Sequence, residues 1–141
     1  MRFQMNDIVY TCPTTLGWYA NGKYCYFFSF DVVRETWADA LTLCQGMGAS
    51  LVWLESGVEF RYVNDTIQNK GFLSNKFWIG GRRDAISGLM QWINGETFDV
   101  NVQPWFQDML GDCMHIEDNF VRTLGCGDIK YYVCKKQASI S

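Results

Sequence analysis

Six cysteines, at positions 12, 25, 44, 113, 126 and 134, are the residues best equipped for chemistry in this 141-residue chain. A thiol can ligate a metal, attack as a nucleophile or close a disulfide. Six thiols are many for a reducing compartment, and the even count suggests three bridges. Six cysteines allow fifteen pairings, so the count alone leaves connectivity open. The first implication is an oxidising, extracellular setting.

Other reactive side chains are sparse. His115, the single histidine, stands two residues beyond Cys113. A Cys-x-His pair raises zinc, but zinc needs four ligands, and a strand histidine is the plainer reading. Catalysis needs a nucleophile beside a base, or paired carboxylates with separated pKa values. With one histidine, no Gly-x-Ser-x-Gly and no phosphate-cradling glycine loop, the chain offers no such constellation and is not read as an enzyme. Asp108, Asp112, Glu117 and Asp118 form an acidic stretch that is either a cation site or a solvated loop.

The elements that must position these groups show in the hydrophobic pattern. Residues 34–47 place Trp37, Ala40, Leu41, Cys44 and Met47 at helical spacing, ending at Gly46 to Gly48. A second helix opens with the capping box Ser56-Gly57-Val58-Glu59 and buries Phe60, Val63 and Ile67 before Gly71 stops it. Short strands are expected at 24–30, 49–54, 77–80, 89–93, 114–116 and 131–134, rich in aromatic and branched residues. Strands and helices without regular alternation imply an α+β fold with mixed or antiparallel sheet. Residues 93–111 show little periodicity.

Composition narrows the class. A chain of this length that is 48% hydrophobic and 16% aromatic fits one domain with a real core. A net charge of -3, with no basic run longer than Arg82-Arg83 or Lys135-Lys136, argues against nucleic acid as a partner. No stretch approaches the roughly 20 apolar residues that cross a bilayer. The first ten residues lack the apolar centre of a signal peptide, so a secreted protein would begin here at a processed or recombinant end.

The motifs fall in a known order. Cys12-Pro13, Gly17-Trp18 and Lys23-Tyr24-Cys25-Tyr26-Phe27 come first, the last an aromatic strand able to fold back as a hairpin. Trp37 to Cys44, Gly48-Ala49-Ser50-Leu51-Val52, Trp78-Ile79-Gly80-Gly81, Trp92-Ile93-Asn94-Gly95, Asp112-Cys113 and Tyr132-Val133-Cys134 follow. In that order and at those intervals they resemble the C-type lectin-like domain in its long form. The resemblance covers 12–135, with 1–11 as an N-terminal segment and 136–141 as a C-terminal tail.

The resemblance implies pairing of Cys12 with Cys25, Cys44 with Cys134 and Cys113 with Cys126, and two helices with short sheets and a long irregular loop region. Closing a loop of roughly 90 residues between Cys44 and Cys134 would stabilise the fold by about 4 to 5 kcal/mol in the chain-entropy model. It also implies recognition of a glycan or a cell-surface protein, on the secreted or extracellular side. A homodimer is compatible with this reading, but not one joined by an interchain bridge, because all six cysteines are assigned.

Members that bind sugars through calcium bring several oxygens together, because Ca²⁺ takes six to eight. They use a Glu-Pro-Asn or Gln-Pro-Asp triplet, a Glu two residues before the following cysteine, and Trp-Asn-Asp before the next. Here the triplet reads Gln103-Pro104-Trp105, Gly111 stands two residues before Cys113, and Val121-Arg122-Thr123 fills the last slot. Gln103 alone remains, so no calcium or other cofactor is expected at the usual site. The ligand residues expected are Gln103, Trp105, Phe106, Asp108, Asn119 and Arg122, with aromatic faces stacking on sugar rings beside Asn101 and Gln103. Trp105 has a second reading as a buried family tryptophan. The first functional reading is carbohydrate binding without a calcium bridge, and the alternative is protein binding.

Asn64-Asp65-Thr66 is a glycosylation sequon. Asn64 lies about 70° from the centre of the Phe60, Val63, Ile67 stripe, so helix position alone does not decide whether a glycan can attach.

Overall fold

A computed structural model of the protein describes residues 2–5, 8–98 and 105–140. Twelve strands and two helices are assigned among them. The chain runs β1 (Arg2–Met5), β2 (Ile8–Thr11), β3 (Trp18–Asn21), β4 (Tyr24–Phe28), α1 (Trp37–Gly46), β5 (Ser50–Leu51) and α2 (Gly57–Asn69). It continues through β6 (Phe77–Arg83), β7 (Met90–Trp92), β8 (Phe106–Gln107), β9 (Cys113–Glu117), β10 (Phe120–Leu124), β11 (Tyr131–Gln137) and β12 (Ser139–Ile140).

The large sheet has the order β3-β4-β11-β6-β9-β10-β8, with β5 added to β11 and β7 to β6. It is mixed: β11 runs parallel to β6 and β8 parallel to β10, while the other pairings are antiparallel. The expected α+β class and both helices are present. All three bridges also form as expected: Cys12–Cys25, Cys44–Cys134 and Cys113–Cys126.

Helix α1 starts at Trp37 rather than Arg34, for two reasons. Thr36 Oγ1 accepts from the Asp39 N–H as the N-cap. Glu35 is already committed to a reciprocal pair of backbone hydrogen bonds with Lys130, both 2.8 Å. Helix α2 begins where the capping box places it, with Ser56 Oγ accepting from Glu59 N–H at 3.1 Å. Glu59 reaches back one residue further than the usual box and accepts from Glu55 N–H at 2.7 Å.

The core lies between the helices and the large sheet. Phe60, Val63 and Ile67 of α2 are buried with Phe28, Phe77, Ile79, Met114 and Ile116. Trp37, Cys44, Leu51, Trp78 and Cys134 form a second buried cluster. Both central tryptophans satisfy their indoles on backbone: Trp37 Nε1 donates to Ile79 O at 2.8 Å and Trp78 Nε1 to Glu35 O at 3.0 Å. Gly80 sits so close to β5 that a Cβ there would stand 2.5 Å from Leu51 O. Its neighbour Gly81 leaves room for the Met114 side chain. The Trp-Ile-Gly-Gly run is therefore a packing requirement.

Lys135 is fully buried on β11. Its Nζ lies 2.6 Å from Glu59 Oε2 and 2.9 Å from Glu55 Oε1, and 4.2 Å from the centres of the Tyr24 and Trp53 rings. Tyr26 donates to the same Glu59 oxygen at 2.6 Å. Burial, and then that hydrogen bond, drives the Tyr26 phenol well above its ordinary pKa.

The flanking segments differ from expectation. Residues 136–140 are not a loose tail: β11 continues to Gln137, and β12 pairs with β2 through Ser139↔Thr11 and Ile140↔Tyr10. The N-terminal segment supplies β1 and β2, which pair antiparallel. Among the described residues, no helix is long and apolar enough to cross a membrane.

Candidate functional site

The irregular region is organised around one hydroxyl. Thr123, buried on β10, accepts from Met109 N–H at 2.9 Å and Gly111 N–H at 3.1 Å, and donates to Asp108 Oδ1 at 2.9 Å. The same carboxylate oxygen accepts from Leu110 N–H at 2.8 Å and from Arg83 Nη2 at 3.0 Å. Arg83 reaches across from β6 and also donates to Gly111 O and Gly88 O. Partial burial pulls the Asp108 carboxyl upward, but hydrogen bonds from Leu110, Thr123 and Arg83 outweigh it and hold the pKa below the ordinary value.

Above this network lies a cavity of about 640 Å³ lined by Arg83, Leu89, Met90, Phe98, Phe106 and Asp108. Phe98 and Phe106 pack 4.6 Å apart, and Phe98 rests on Trp92 at 5.5 Å. Leu89 in its lining is exposed, as are Met109 and Leu110, which follow Asp108 in the chain. The arrangement is an apolar floor with one guanidinium–carboxylate pair at its edge.

The residues expected to form one site are divided by the pleat of the sheet. Phe106 pairs with Val121 and Gln107 with Arg122, so Phe106 and Asp108 share a face while Arg122 takes the opposite one. Arg122 there donates to Gln107 Oε1 at 2.9 Å and lies 3.4 Å from Glu117 Oε1. Trp105 stacks on Phe60 of α2 at 4.5 Å with nearly parallel rings, in keeping with its second reading as a packing tryptophan. Asn119 sits at the other end of β10, where Asp118 and Asn119 both adopt positive φ in the β9–β10 turn. Its Oδ1 accepts from Asn64 Nδ2 at 2.8 Å. Gln103 lies outside the described residues. Among the described residues of the expected set, only Phe106 and Asp108 meet at the cavity.

Arg83, Leu89, Met90 and Phe98 join them in the lining, and nothing in the sequence singles them out as a site. They come from β6, β7 and the turns beside them, and no local spacing links them to Phe106.

Among the described residues, the donors at the usual calcium position do not fit that ion. A side chain at position 111 would collide with the backbone of Leu124, so no carboxylate can stand there without rebuilding the loop. Asp108 and Asp112 both face Arg83, at 3.0 and 3.5 Å, whereas Glu117 faces His115 and Arg122. Among the described residues, no three carboxylates, histidines or cysteines converge to hold a metal.

Asn64 is 5% exposed. Its Nδ2, the atom that would carry a glycan, is the donor to Asn119. In the fold the sequon's amide nitrogen is thus engaged in this buried contact between α2 and the β9–β10 turn. His115 is fully buried on β9, 3.3 Å from Glu117. Burial first, with Lys130 and Lys76 adding to it against the pull of Glu117, lowers its pKa from 6.5 to about 4. It is neutral at pH 7.

Comparison with known proteins agrees with this architecture. The family model for the lectin C-type domain matches residues 33–136. Killer cell lectin-like receptor subfamily B member 1A of Mus musculus is 31% identical over 127 residues, 89% of this chain and 53% of that protein. C-type lectin domain family 9 member A of Rattus norvegicus is 30% identical over 130 residues, 90% of this chain and 52% of that protein. The chain thus spans about half the length of the curated relatives it matches. The crystal structure of human lithostathine superposes with a TM-score of 0.72 at 25% identity, covering 89% of this chain and 99% of that one.

Proposed function

The chain belongs to the C-type lectin domain family, and from that premise we propose that it is an extracellular recognition domain that binds a protein surface without calcium. The observation that carries this reading is the 640 Å³ cavity with its apolar floor and Arg83–Asp108 edge. The Leu89 and Met90 side chains of its lining offer a sugar hydroxyl nothing, yet suit the apolar anchors of a protein interface. Trp105, the aromatic ring expected to stack on a sugar, already has a face covered by Phe60. Position 111 cannot supply an oxygen ligand, which supports independence from calcium. Three disulfides support a location outside the reducing cytosol.

The test uses the disulfide-bonded domain, tetramerised, on an array of cell-surface ectodomains and on a glycan array. Each is probed once with millimolar calcium and once with a chelator. Binding to an ectodomain that survives chelation, and is lost in both Leu89→Asp and Phe106→Ser, is expected. Glycan binding abolished by the chelator overturns the proposal. Chelator-resistant glycan binding returns the site to the carbohydrate reading expected first from sequence.

A further inference from the structure

A second cavity, of about 430 Å³, lies away from the first and gathers Arg34, Lys76 and Lys130 around Ser74, Asn75 and Asp128. These cations are scattered along the sequence and assembled by the backbone. The reciprocal hydrogen bonds between Glu35 and Lys130 seat Arg34 next to the start of β11. The parallel register Phe77↔Tyr131 then brings Lys76 level with Lys130, one residue before each strand.

Gathering these cations carries an electrostatic cost. Like charges at the same level of neighbouring strands repel. Lys130 is also 5% exposed, and burying an ammonium is unfavourable unless it is paired. Its Nζ rests 4.7 Å from the centre of the Trp78 ring, and the nearest carboxylate, Asp128, stands 3.8 Å away and is itself largely exposed. Burial, with Lys76 contributing, lowers the Lys130 pKa against the opposing pull of Asp128 and Glu117. Three cations against one carboxylate leave this cavity positive in a chain whose net charge is -3.

We propose that this cavity is a separate binding site for the anionic substituent, sulfate or carboxylate, of an acidic saccharide. The guanidinium of Arg34 can fork onto two oxygens of such a group, and the two ammonium groups act as point charges beside it. Ser74 and Asn75 supply neutral donors and acceptors of the kind that ring hydroxyls use. The volume falls within the usual range of small-ligand pockets, about 300–1,000 Å³. A neutral sugar brings no negative charge to set against the three cations.

The test is calorimetric titration of the intact domain with a heparin-derived hexasaccharide, an oligogalacturonate carrying carboxylates only, a neutral malto-oligosaccharide and an oligoglutamate peptide. Saturable binding of one or both acidic saccharides is expected, weakening with salt and absent for the neutral sugar. The heparin and galacturonate arms distinguish sulfate from carboxylate. Arg34→Ala and Lys76→Ala, both outside the core, are expected to weaken binding by about tenfold each. Phe106→Ser at the first cavity should leave it unchanged, which separates this proposal from the previous one. No saturable binding, equal binding by the Arg34→Ala/Lys76→Ala double variant, or an oligoglutamate that binds as tightly as the saccharides overturns it.

Discussion

Gly111 packs against the backbone of Leu124 so closely that a Cβ on it would stand 2.5 Å from Leu124 N. Restoring the carboxylate that sugar-binding relatives carry at this position is therefore blocked by sterics before coordination is considered. Gly111→Ala is expected to destabilise the domain by about 1–3 kcal/mol, the usual cost of forcing atoms into a packed site, read by urea denaturation. Gly111→Glu is expected to bind no calcium by calorimetry. A saturable calcium heat in that variant would mean that the Leu124 segment gives way readily.

His115 makes the fold sensitive to acid. Its pKa is about 4 when folded against 6.5 when free, so between those values the unfolded chain binds the extra proton and stability falls as pH falls. The full loss is about 3 kcal/mol, reached once the pH is below the folded value. Comparing denaturation at pH 7 and pH 4.5, His115→Gln should show a drop smaller by most of that amount. Equal drops in the two proteins would assign the acid sensitivity to carboxylates instead.

Lys135 holds Glu59 in place from inside the protein. Truncation to Met leaves a carboxylate that is only 10% exposed with its main counter-charge gone, and breaking a buried pair from one side costs about 3–5 kcal/mol. Lys135→Met is expected to fall in that range, and adding Glu59→Gln should recover part of it. A double variant no better than the single one would show that packing on Tyr24 and Trp53, not charge, is what Lys135 contributes.

The sequon at Asn64 should remain unmodified. Material secreted from mammalian cells is expected to show no mass shift on N-glycosidase treatment. Asn64→Ala should cost about 1 kcal/mol for the lost bond to Asn119. A glycan on Asn64 in the intact mass would show that the contact between α2 and the β9–β10 turn is not kept.

The Ser56 cap and the Trp78 to Gly81 run are local signals that suffice to locate α2 and the central strand, and the cysteine spacing, joined to the family resemblance, suffices for the bridges. What these signals miss is decided by non-local geometry. β12 is a two-residue strand whose only requirement is backbone from β2, so its composition looks like a tail. Asn119 resembles a ligand because amides bind sugars, whereas its positive φ marks a turn residue. Phe106 and Arg122 read as members of one loop surface, yet parallel pairing of β8 with β10 turns them to opposite faces. Arg34, Lys76 and Lys130 never form a basic run, because the fold alone brings them together.

The bridge from Cys44 to Cys134 spans a separation of 90 residues, and this has a consequence for proteolysis. A single peptide-bond cut anywhere between those two positions leaves both fragments covalently joined. A protease that nicks one surface loop between them would therefore release no piece of the domain, and the damage would become visible only after reduction. Such a domain can be cut once between Cys44 and Cys134 and still carry both of its cavities on one covalent molecule.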